Sequence, residues 1–192
     1  MCFVKTCSHN ELKKVWKLTY KKYLEQGFCR KNVEERLKLY PNLDGIEETT
    51  VLVAEDCGEI KGTISITEDG PFLLTTDISF SHSTELIRLG CKATNKKLGC
   101  VWRFISSNGC NTLIEAGLEE IKNRGIDIVL CVINPKHFGF YNRCLGFLDV
   151  ERAERDPIVN NNASLLIYSS YETMVSKWYS RKCFSNFKES LL

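Results

Sequence analysis

The sequence predicts a mixed α/β fold, in which amphipathic helices pack on a central sheet. Three observations support this prediction. Ser8-His-Asn-Glu11 has the form of a capping box and opens an amphipathic run. Two strand-like runs meet at a turn around Gly58. Residues 126–133 are nearly all apolar, as in a central strand that is covered on both faces. Helical and strand patterns therefore alternate along the chain.

The order of the predicted elements follows from the changes between a helical period and a strand period. Helices are predicted at residues 8–27 and 33–40, and strands at 50–55, 60–67 and 84–91. A long helix is predicted at 104–124, with Ile114, Leu118 and Ile121 on one face and Gly125 as its C-cap. The remaining elements are the central strand 126–133, a short helix opened by Asn134-Pro135, strands at 146–150 and 164–168, and a helical tail from residue 170.

The composition is that of an ordinary globular protein, and we expect one domain over residues 1–192 with a helical extension at 170–192. The 26 Lys and Arg against 24 Asp and Glu leave a net charge of +2, which does not favour nucleic acid as the main partner. The N-terminal residues lack the apolar stretch of an export signal, and no apolar run is long enough for a bilayer. A cytoplasmic location is therefore expected.

Ten cysteines and three histidines raise the question of metal or thiol chemistry. The sequence contains no CxxC, so the spacing of zinc ligands is absent and no metal is expected. A disulfide framework is unnecessary at this size and is not expected in a reducing compartment. We interpret most of these cysteines as small buried apolar residues.

The segment from Val132 to Phe147 carries the most specific motif of the chain. An apolar strand leads into a helix with Phe140-Tyr141, and Gly146-Phe147 follows at the start of the next strand. This arrangement resembles the end of the GNAT acyltransferase fold. The resemblance implies a GNAT-like α/β fold, with a mixed, mostly antiparallel central sheet flanked by helices. It also implies an enzyme that moves an acyl group from a thioester to an amine.

Within the GNAT superfamily the chain is most similar to the long-chain N-acyl amino acid synthases, which are related to the acyl-homoserine-lactone synthases. Asn134-Pro-Lys-His-Phe138 is similar to a family stretch that precedes the FY pair. Glu85-Leu-Ile-Arg-Leu89 is similar to a family strand, and residues 15–23 resemble a family helix. The resemblance implies transfer of an acyl group, long-chain in this family, from acyl carrier protein to the amine of an amino acid or a similar small molecule.

Attack of an amine on a thioester requires a base that takes the amine's proton and an acid that protonates the leaving thiolate. The resemblance implies Tyr141 as general acid and Glu85 as general base. His137, one helical turn before Tyr141, is a further candidate catalytic residue. The alternatives are packing for Tyr141, an ion pair with Arg88 for Glu85, and capping of the helix start for His137.

The donor site is where the sequence departs from the GNAT pattern. GNAT enzymes that use coenzyme A usually carry a glycine-rich loop before the long helix, whose N–H groups hold the pyrophosphate. The corresponding residues 95–103 contain only Gly99 and several cations. This favours acyl carrier protein as donor, since its phosphopantetheine arm has one phosphate, although a solvated basic loop is the alternative.

The acidic surface of a carrier protein is expected to meet the cations of this segment. The predicted donor-binding residues are Arg88, Leu89, Cys91, Lys96, Lys97, Gly99, Arg103 and Asn134.

Aromatic residues near the N-terminus are available to bind substrate and to line an apolar tunnel for an acyl chain. They are Trp16, Tyr20, Tyr23 and Phe28, with Phe72 as a further candidate. Thr19 stands where the resemblance leads us to expect an arginine, which leaves the identity of the acceptor open.

Two other functions compete with this interpretation. An N-acetyltransferase that uses acetyl-coenzyme A is the alternative in the same class. A non-catalytic binding module that kept the GNAT fold is the alternative from a different class. The weak phosphate loop and the missing arginine favour it, and the presence of Glu85 and Tyr141 disfavours it. The aromatic and basic tail, residues 174–188, is expected to pack on the domain, with a membrane contact as the alternative.

Overall fold

One seven-stranded sheet forms the centre of the protein, in the order β1-β2-β3-β4-β5-β7-β6. The structure is a computed structural model and describes residues 3–106 and 110–180. The strands are β1 (Phe3–Thr6), β2 (Thr49–Asp56), β3 (Glu59–Glu68), β4 (Leu98–Ser106), β5 (Ile128–Ile133), β6 (Leu148–Asp156) and β7 (Asn162–Ser170). Neighbouring strands are antiparallel except β4 and β5, which are parallel. The predicted mixed, mostly antiparallel sheet is therefore confirmed.

Helices cover both faces of this sheet. They are α1 (Leu12–Glu25), α2 (Thr75–Ser79), α3 (Ser81–Ala93), α4 (Cys110–Asn123), α5 (Phe138–Leu145) and α6 (Tyr171–Ser180). In β5, Leu130 packs in a core with residues of α2 and α3, whereas Val129 and Cys131 pack in a core with α4, α5 and α6. Successive residues of β2 also face opposite sides of the sheet, and Val51 and Val53 pack against α1. We call the two sides the α1 face and the α4 face.

β4 and β5 pair over only part of their length. Their ladder runs from Leu98–Ile128 to Val101–Cys131, but β4 continues to Ser106. A bulge in β4 places two residues opposite Ile64, and Arg103 there adopts a φ of 53°. Because a bulge bends its strand, β4 turns away while β5 stays paired with β7 as far as Ile133. The two parallel strands therefore separate at their carboxyl ends.

Several predicted elements are confirmed. The capping box is present, with the Ser8 N–H donating to Glu11 Oε2 at 2.9 Å, and α1 follows it. The hairpin β2–β3, the central strand β5, the Asn134-Pro135 helix start and the β6–β7 pair are also present. The tail helix is observed at Tyr171–Ser180, where it packs in the core through Met174 and Trp178. The rest of the predicted extension, residues 181–192, lies outside the described residues.

The short helix predicted at residues 33–40 is wrong. The Asn32 side chain exchanges hydrogen bonds with the backbone of Arg36, and Glu35 adopts a φ of 50°. The Leu37 N–H donates to Trp16 O on α1. Side-chain and tertiary hydrogen bonds have therefore replaced the helical ones, as Asn often does.

The strand predicted at residues 84–91 is also wrong, because this segment belongs to α3. Its inward-facing residues are Thr84, Ile87, Arg88 and Cys91, whose spacing of three and four is helical, while Leu86 and Leu89 are exposed. The strand prediction followed the similarity to a family strand rather than this period. Two real strands, β1 and β4, were missed, and the helix predicted from residue 104 begins at Cys110 because residues 104–106 end β4.

The Gly146-Phe147 motif ends α5. Gly146 has a φ of 68°, and the Phe147 N–H donates to Tyr141 O at 3.2 Å, as in a Schellman motif. Phe147 is buried and its ring meets the Tyr141 ring edge-on at 5.7 Å. A Cβ on Gly146 would lie 2.5 Å from Thr173 Cγ2, so α6 packs closely where only glycine fits.

We expect Gly146→Ala to lower the free energy of unfolding by roughly 2–3 kcal/mol, about 1 from the left-handed backbone and the rest from the clash with Thr173. Gly125→Ala is the matched control, because Gly125 follows α4 with a φ of 66° and has open space where a Cβ would be added. Urea denaturation measures both losses. Equal losses would show that the contact with α6 contributes nothing.

Candidate active site

The separation of β4 and β5 opens a cleft at the carboxyl ends of two parallel strands. Ligands bind at such places in α/β sheets, because neighbouring strands part there and helices begin there. α4 follows β4, and α5 follows β5 after a short 3-10 turn, Pro135–His137. The N-terminal ends of helices favour negatively charged groups. This cleft is therefore the candidate active site.

Asn134 fixes the chain between β5 and α5. Its side chain accepts a hydrogen bond from the Lys136 N–H at 3.1 Å and donates to Ala163 O at 3.3 Å. Lys136 Nζ then donates to Gln26 Oε1 at 2.6 Å and lies 5.3 Å from the centre of the Phe28 ring. These contacts hold the segment after α1 against the start of α5. The predicted role of Asn134 in donor binding is untested; its observed role is positional.

Two pairs of aromatic side chains lie on the α1 face of the sheet. Tyr23 meets Phe28 edge-on at 5.8 Å, and Tyr40 meets Trp102 edge-on at 5.1 Å. Burial raises the pKa of Tyr23 to about 12, and burial together with the nearby Tyr23 raises the pKa of Tyr40. Both side chains nevertheless keep accessible surface. These partly exposed rings mark an aromatic region beside the cleft, which we call the aromatic space.

Arg103 lies beside this space and is paired. Its Nη2 donates to Asp44 Oδ1 at 2.6 Å, and Asp44 Oδ2 accepts from Trp16 Nε1 at 2.7 Å. The guanidinium stands 4.2 Å from the centre of the Trp102 ring, and its charge acts to lower the pKa of Tyr23. The Arg103 side chain has no exposed surface. The predicted role of Arg103 as a surface cation for a carrier protein is therefore wrong.

Tyr141 lies on α5 and is 8% exposed. Its ring packs edge-on against Phe140 at 5.5 Å and Phe147 at 5.7 Å, in the core of the α4 face. The packing considered as an alternative is therefore present. A catalytic role depends on the hydroxyl group and is compatible with a packed ring.

His137 is half-buried at the end of the turn before α5. Burial lowers the pKa of its imidazole below 6.5, and the charge of Lys136 lowers it further. The side chain makes no capping hydrogen bond with α5, so the capping alternative is wrong. His137 is therefore a neutral imidazole at pH 7, one turn before Tyr141.

The other predicted substrate residues have different surroundings. Trp16 contacts Asp44 and Lys38 Nζ, and Tyr20 is buried with its hydroxyl accepting from the Asn32 N–H at 3.2 Å. These two residues support the segment after α1, whereas Tyr23 and Phe28 lie at the cleft. Phe72 is exposed before α2.

Glu85 does not have the position that the resemblance implied. It lies on α3 rather than on a strand, is half exposed, and accepts a hydrogen bond from Arg88 Nη1 at 2.6 Å. Arg88 also pairs with Asp69 and Asp77. α3 packs on the α1 face whereas Tyr141 lies in the core of the α4 face, so the structure does not bring the two together. The contacts support the ion-pair alternative for Glu85.

The remaining predicted donor-binding residues lie away from the cleft. Lys96 and Lys97 precede β4, at the amino ends of the parallel strands, and Lys97 Nζ pairs with Glu68 at 2.7 Å. Gly99 lies within β4, where a Cβ would be 2.7 Å from Ile126 Cδ1. Leu89 and Cys91 are on α3. The false strand at 84–91 caused this error, because it moved the loop before α4 to residues 95–103. Residues 107–109, between β4 and α4, lie outside the described residues.

The sequence reasoning missed Asp44 and Tyr40. They lie in an irregular segment, where no period marks the side that faces inward. Arg103 did carry a signal, because an arginine within the apolar run 98–105 is buried only when it is paired.

Residues 3–106 and 110–180 contain no helix with the length and apolar character that crossing a bilayer requires. In the same ranges, His, Cys, Asp and Glu side chains form no group of three or more that could hold a metal.

Comparison with known proteins identifies the fold. FeeM, an N-acyl amino acid synthase from uncultured soil microbes, aligns with a TM-score of 0.77 and 21% identity, over 92% of this chain and 94% of that one. The acyl-homoserine lactone synthase BjaI aligns with a TM-score of 0.63 and 14% identity, over 94% and 89%. A GNAT-family acetyltransferase from Streptococcus pneumoniae aligns with a TM-score of 0.57 and 13% identity, over 88% and 99%. Curated protein sequences give no significant match.

The sheet and its flanking helices have the fold of the GNAT acyltransferases. A family model described as N-acyl amino acid synthase FeeM matches residues 14–169. The chain belongs to this family, and the predicted family, fold and acyltransferase activity are confirmed.

We expect the stability of the protein to fall as the pH drops below about 6.5, the ordinary pKa of histidine. The pKa of His137 is lower in the folded than in the unfolded chain, so the unfolded state binds the proton first. Thermal melting between pH 7.5 and 5.5 measures this loss, which should be smaller for His137→Gln. His82→Gln, at an exposed position of α3, is the control. A His137→Gln variant as sensitive to pH as the wild type would contradict this assignment.

Proposed function

We propose that the protein transfers a long-chain acyl group from the thioester of an acyl carrier protein to the amino group of an amino acid. The separation of β4 from β5 carries this proposal, because it connects the two faces of the sheet. Tyr141 lies in the core of one face and the aromatic space around Tyr23 lies on the other. Thioester and amine would meet between the strands.

In the proposed reaction the amine nitrogen attacks the thioester carbonyl, so that a C–N bond forms and the C–S bond breaks. The nitrogen loses a proton and the leaving thiolate gains one. Tyr141 is the proposed proton donor to the thiolate. His137 is the proposed acceptor of the amine proton, because its lowered pKa keeps it neutral at pH 7 and because it lies one turn from Tyr141. Glu85 has no part in this scheme, since its carboxylate is paired with Arg88.

The similarity to long-chain N-acyl amino acid synthases favours a long acyl chain over an acetyl group. Each buried CH₂ group contributes about 0.8 kcal/mol, or about fourfold in a rate constant. We therefore expect kcat/KM to rise about fourfold per CH₂ until the chain fills the cleft. A preference for acetyl donors would instead favour the acetyltransferase alternative.

An acidic carrier protein requires a basic docking surface, and α1 has one. Lys13, Lys14, Lys17 and Lys21 are exposed on this helix, and α1 also carries Tyr23 at the cleft. Charge complementarity would bring the carrier to the side of the cleft and raise the rate of association. BjaI is a CoA-dependent synthase whose structure contains isopentyl-CoA, so a coenzyme A thioester is the alternative donor for this chain.

The test of the proposal is incubation of the full chain with an amino-acid mixture and one of three donors: dodecanoyl-carrier protein, dodecanoyl-coenzyme A or acetyl-coenzyme A. Mass spectrometry should detect N-dodecanoyl amino acids, formed fastest from the carrier protein. Products from acetyl-coenzyme A alone would reject the long-chain donor, and equal rates with the two dodecanoyl donors would reject the carrier protein.

The lysine face of α1 has a separate prediction. We expect the double variant Lys17→Glu/Lys21→Glu to raise KM for dodecanoyl-carrier protein roughly tenfold and to leave KM for dodecanoyl-coenzyme A unchanged, because only the carrier presents an acidic surface. The effect should shrink at high salt. Lys92→Glu/Lys96→Glu, exposed near the amino ends of β4 and β5, is the matched control. An equal effect of both double variants would show that docking on α1 is not specific.

We expect Tyr141→Phe to lower kcat by roughly 100-fold with little change in the KM of either substrate, because the variant keeps the ring and removes the proton donor. Tyr179→Phe, which removes a hydroxyl from an exposed position of α6, is the control. Turnover measured by product formation distinguishes a proton donor from a packing residue. An unchanged kcat in Tyr141→Phe would assign this residue to packing alone.

A further inference from the structure

Arg103 has more hydrogen-bonding capacity than the protein uses. Nη2 binds Asp44, but Nε and Nη1 are buried and have no partner among the described residues. These two nitrogens carry three of the five N–H groups of a guanidinium. Buried donors without a partner are rare, because each costs about 1–3 kcal/mol of desolvation. Such donors call for an acceptor, and the described residues supply none.

The backbone is strained to place this side chain. Arg103 adopts a φ of 53°, in the left-handed region that a residue with a Cβ enters only at a cost. The bulge puts Trp102 and Arg103 on the same face of the sheet, where regular alternation would put them on opposite faces. Strain of this kind is found at functional sites, where it re-aims a side chain.

The surroundings of the guanidinium form a site on the acceptor side of the cleft. Asp44 and the Trp102 ring hold the guanidinium in place, and its charge acts to lower the pKa of Tyr23. Tyr23 and Tyr40 keep accessible surface beside it. The position is thus an aromatic region with one fixed cation, on the α1 face rather than on the α4 face with Tyr141. Arg103 itself has no exposed surface, so a ligand reaches its N–H groups only when the side chains beside it move.

We propose that the unpaired N–H groups of Arg103 bind the carboxylate of the acceptor, so that the enzyme selects amino acids over amines that lack a carboxylate. This inference rests on the proposed function and names the part of the acceptor that is recognised. A guanidinium suits a carboxylate because its planar N–H groups match the two oxygens. In an α-amino acid the amine is one carbon from the carboxylate, so an anchored carboxylate also positions the nucleophile.

The test compares each accepted amino acid with its carboxamide, which keeps the amine and the side chain but has no negative charge. Two readouts are used: kcat/KM for acylation, and calorimetric binding of the N-dodecanoyl amino acid against its carboxamide. The variants are Arg103→Gln, Asp44→Asn and the double variant, each checked by thermal melting. Wild type should prefer the acid by roughly 10- to 100-fold in both readouts, as expected for charge-assisted hydrogen bonds.

Arg103→Gln and the double variant should lose this preference, and the KM of the thioester donor should not change. Asp44→Asn should keep the preference or increase it, because it leaves the Arg103 charge without a competing carboxylate. A merely structural ion pair predicts the opposite pattern: both single variants are impaired alike and the neutral double variant is restored. That pattern would overturn the inference.

Two further results would also overturn it. One is that Arg103→Gln still prefers the amino acid to its carboxamide. The other is an Arg103→Gln variant in which only the KM of the donor rises, since Arg103 would then serve the donor's phosphate or carbonyl. If the wild type acylates no acceptor at all, the proposed function fails, and the binding comparison still decides whether Arg103 recognises a carboxylate.

Discussion

β4 leaves β5 at the bulge that contains Arg103, and every feature of the site depends on that separation. Parallel strands that stayed paired to their ends would leave no opening through the sheet. The bulge removes the pairing at the carboxyl end while the antiparallel partner β7 keeps β5 straight. α4 and α5 then begin on either side of a gap, and the residues between β5 and α5 contact the segment that follows α1. A local irregularity of one residue thus creates the gap between β4 and β5 at their carboxyl ends.

The ion pair of Arg103 and Asp44 holds the bulged end of β4 against the segments that pack on it. It connects three segments that are far apart in sequence, since Trp16 of α1 also binds Asp44. A buried ion pair seldom adds net stability, because hydrophobic residues of similar volume would serve as well or better. Removing one partner is nevertheless costly, at about 3–5 kcal/mol. The pair is therefore better understood as a way to hold a charged group inside the protein than as a source of stability.

The sequence predicted the structure correctly where a motif reflects a requirement of the local backbone. Gly146 must adopt a left-handed conformation and Asn134 must cap a turn, and both requirements can be read from neighbouring residues. The prediction failed at residues 84–91, where the similarity to a family strand outweighed a helical period. This single error displaced the predicted donor loop from the carboxyl end of β4 to its amino end. Asp44 and Tyr40 could not be found, because their roles come from contacts with Arg103 and Trp102 across the fold. Local patterns do not encode such contacts.

Thr19 shows how the acceptor side can differ within a shared fold. It is fully buried on α1, three residues after Trp16 and four before Tyr23, so the three side chains lie on neighbouring positions of one helix face. Trp16 donates a hydrogen bond to Asp44, the partner of Arg103, and the charge of Arg103 acts to lower the pKa of Tyr23. An arginine in place of Thr19 would bring a second guanidinium toward the first in a region of low dielectric constant, where like charges repel strongly. Asp44 is the one carboxylate that the described contacts place there to offset them. A small, uncharged residue at position 19 avoids a second positive charge on this side of the sheet, where Asp44 already pairs with Arg103.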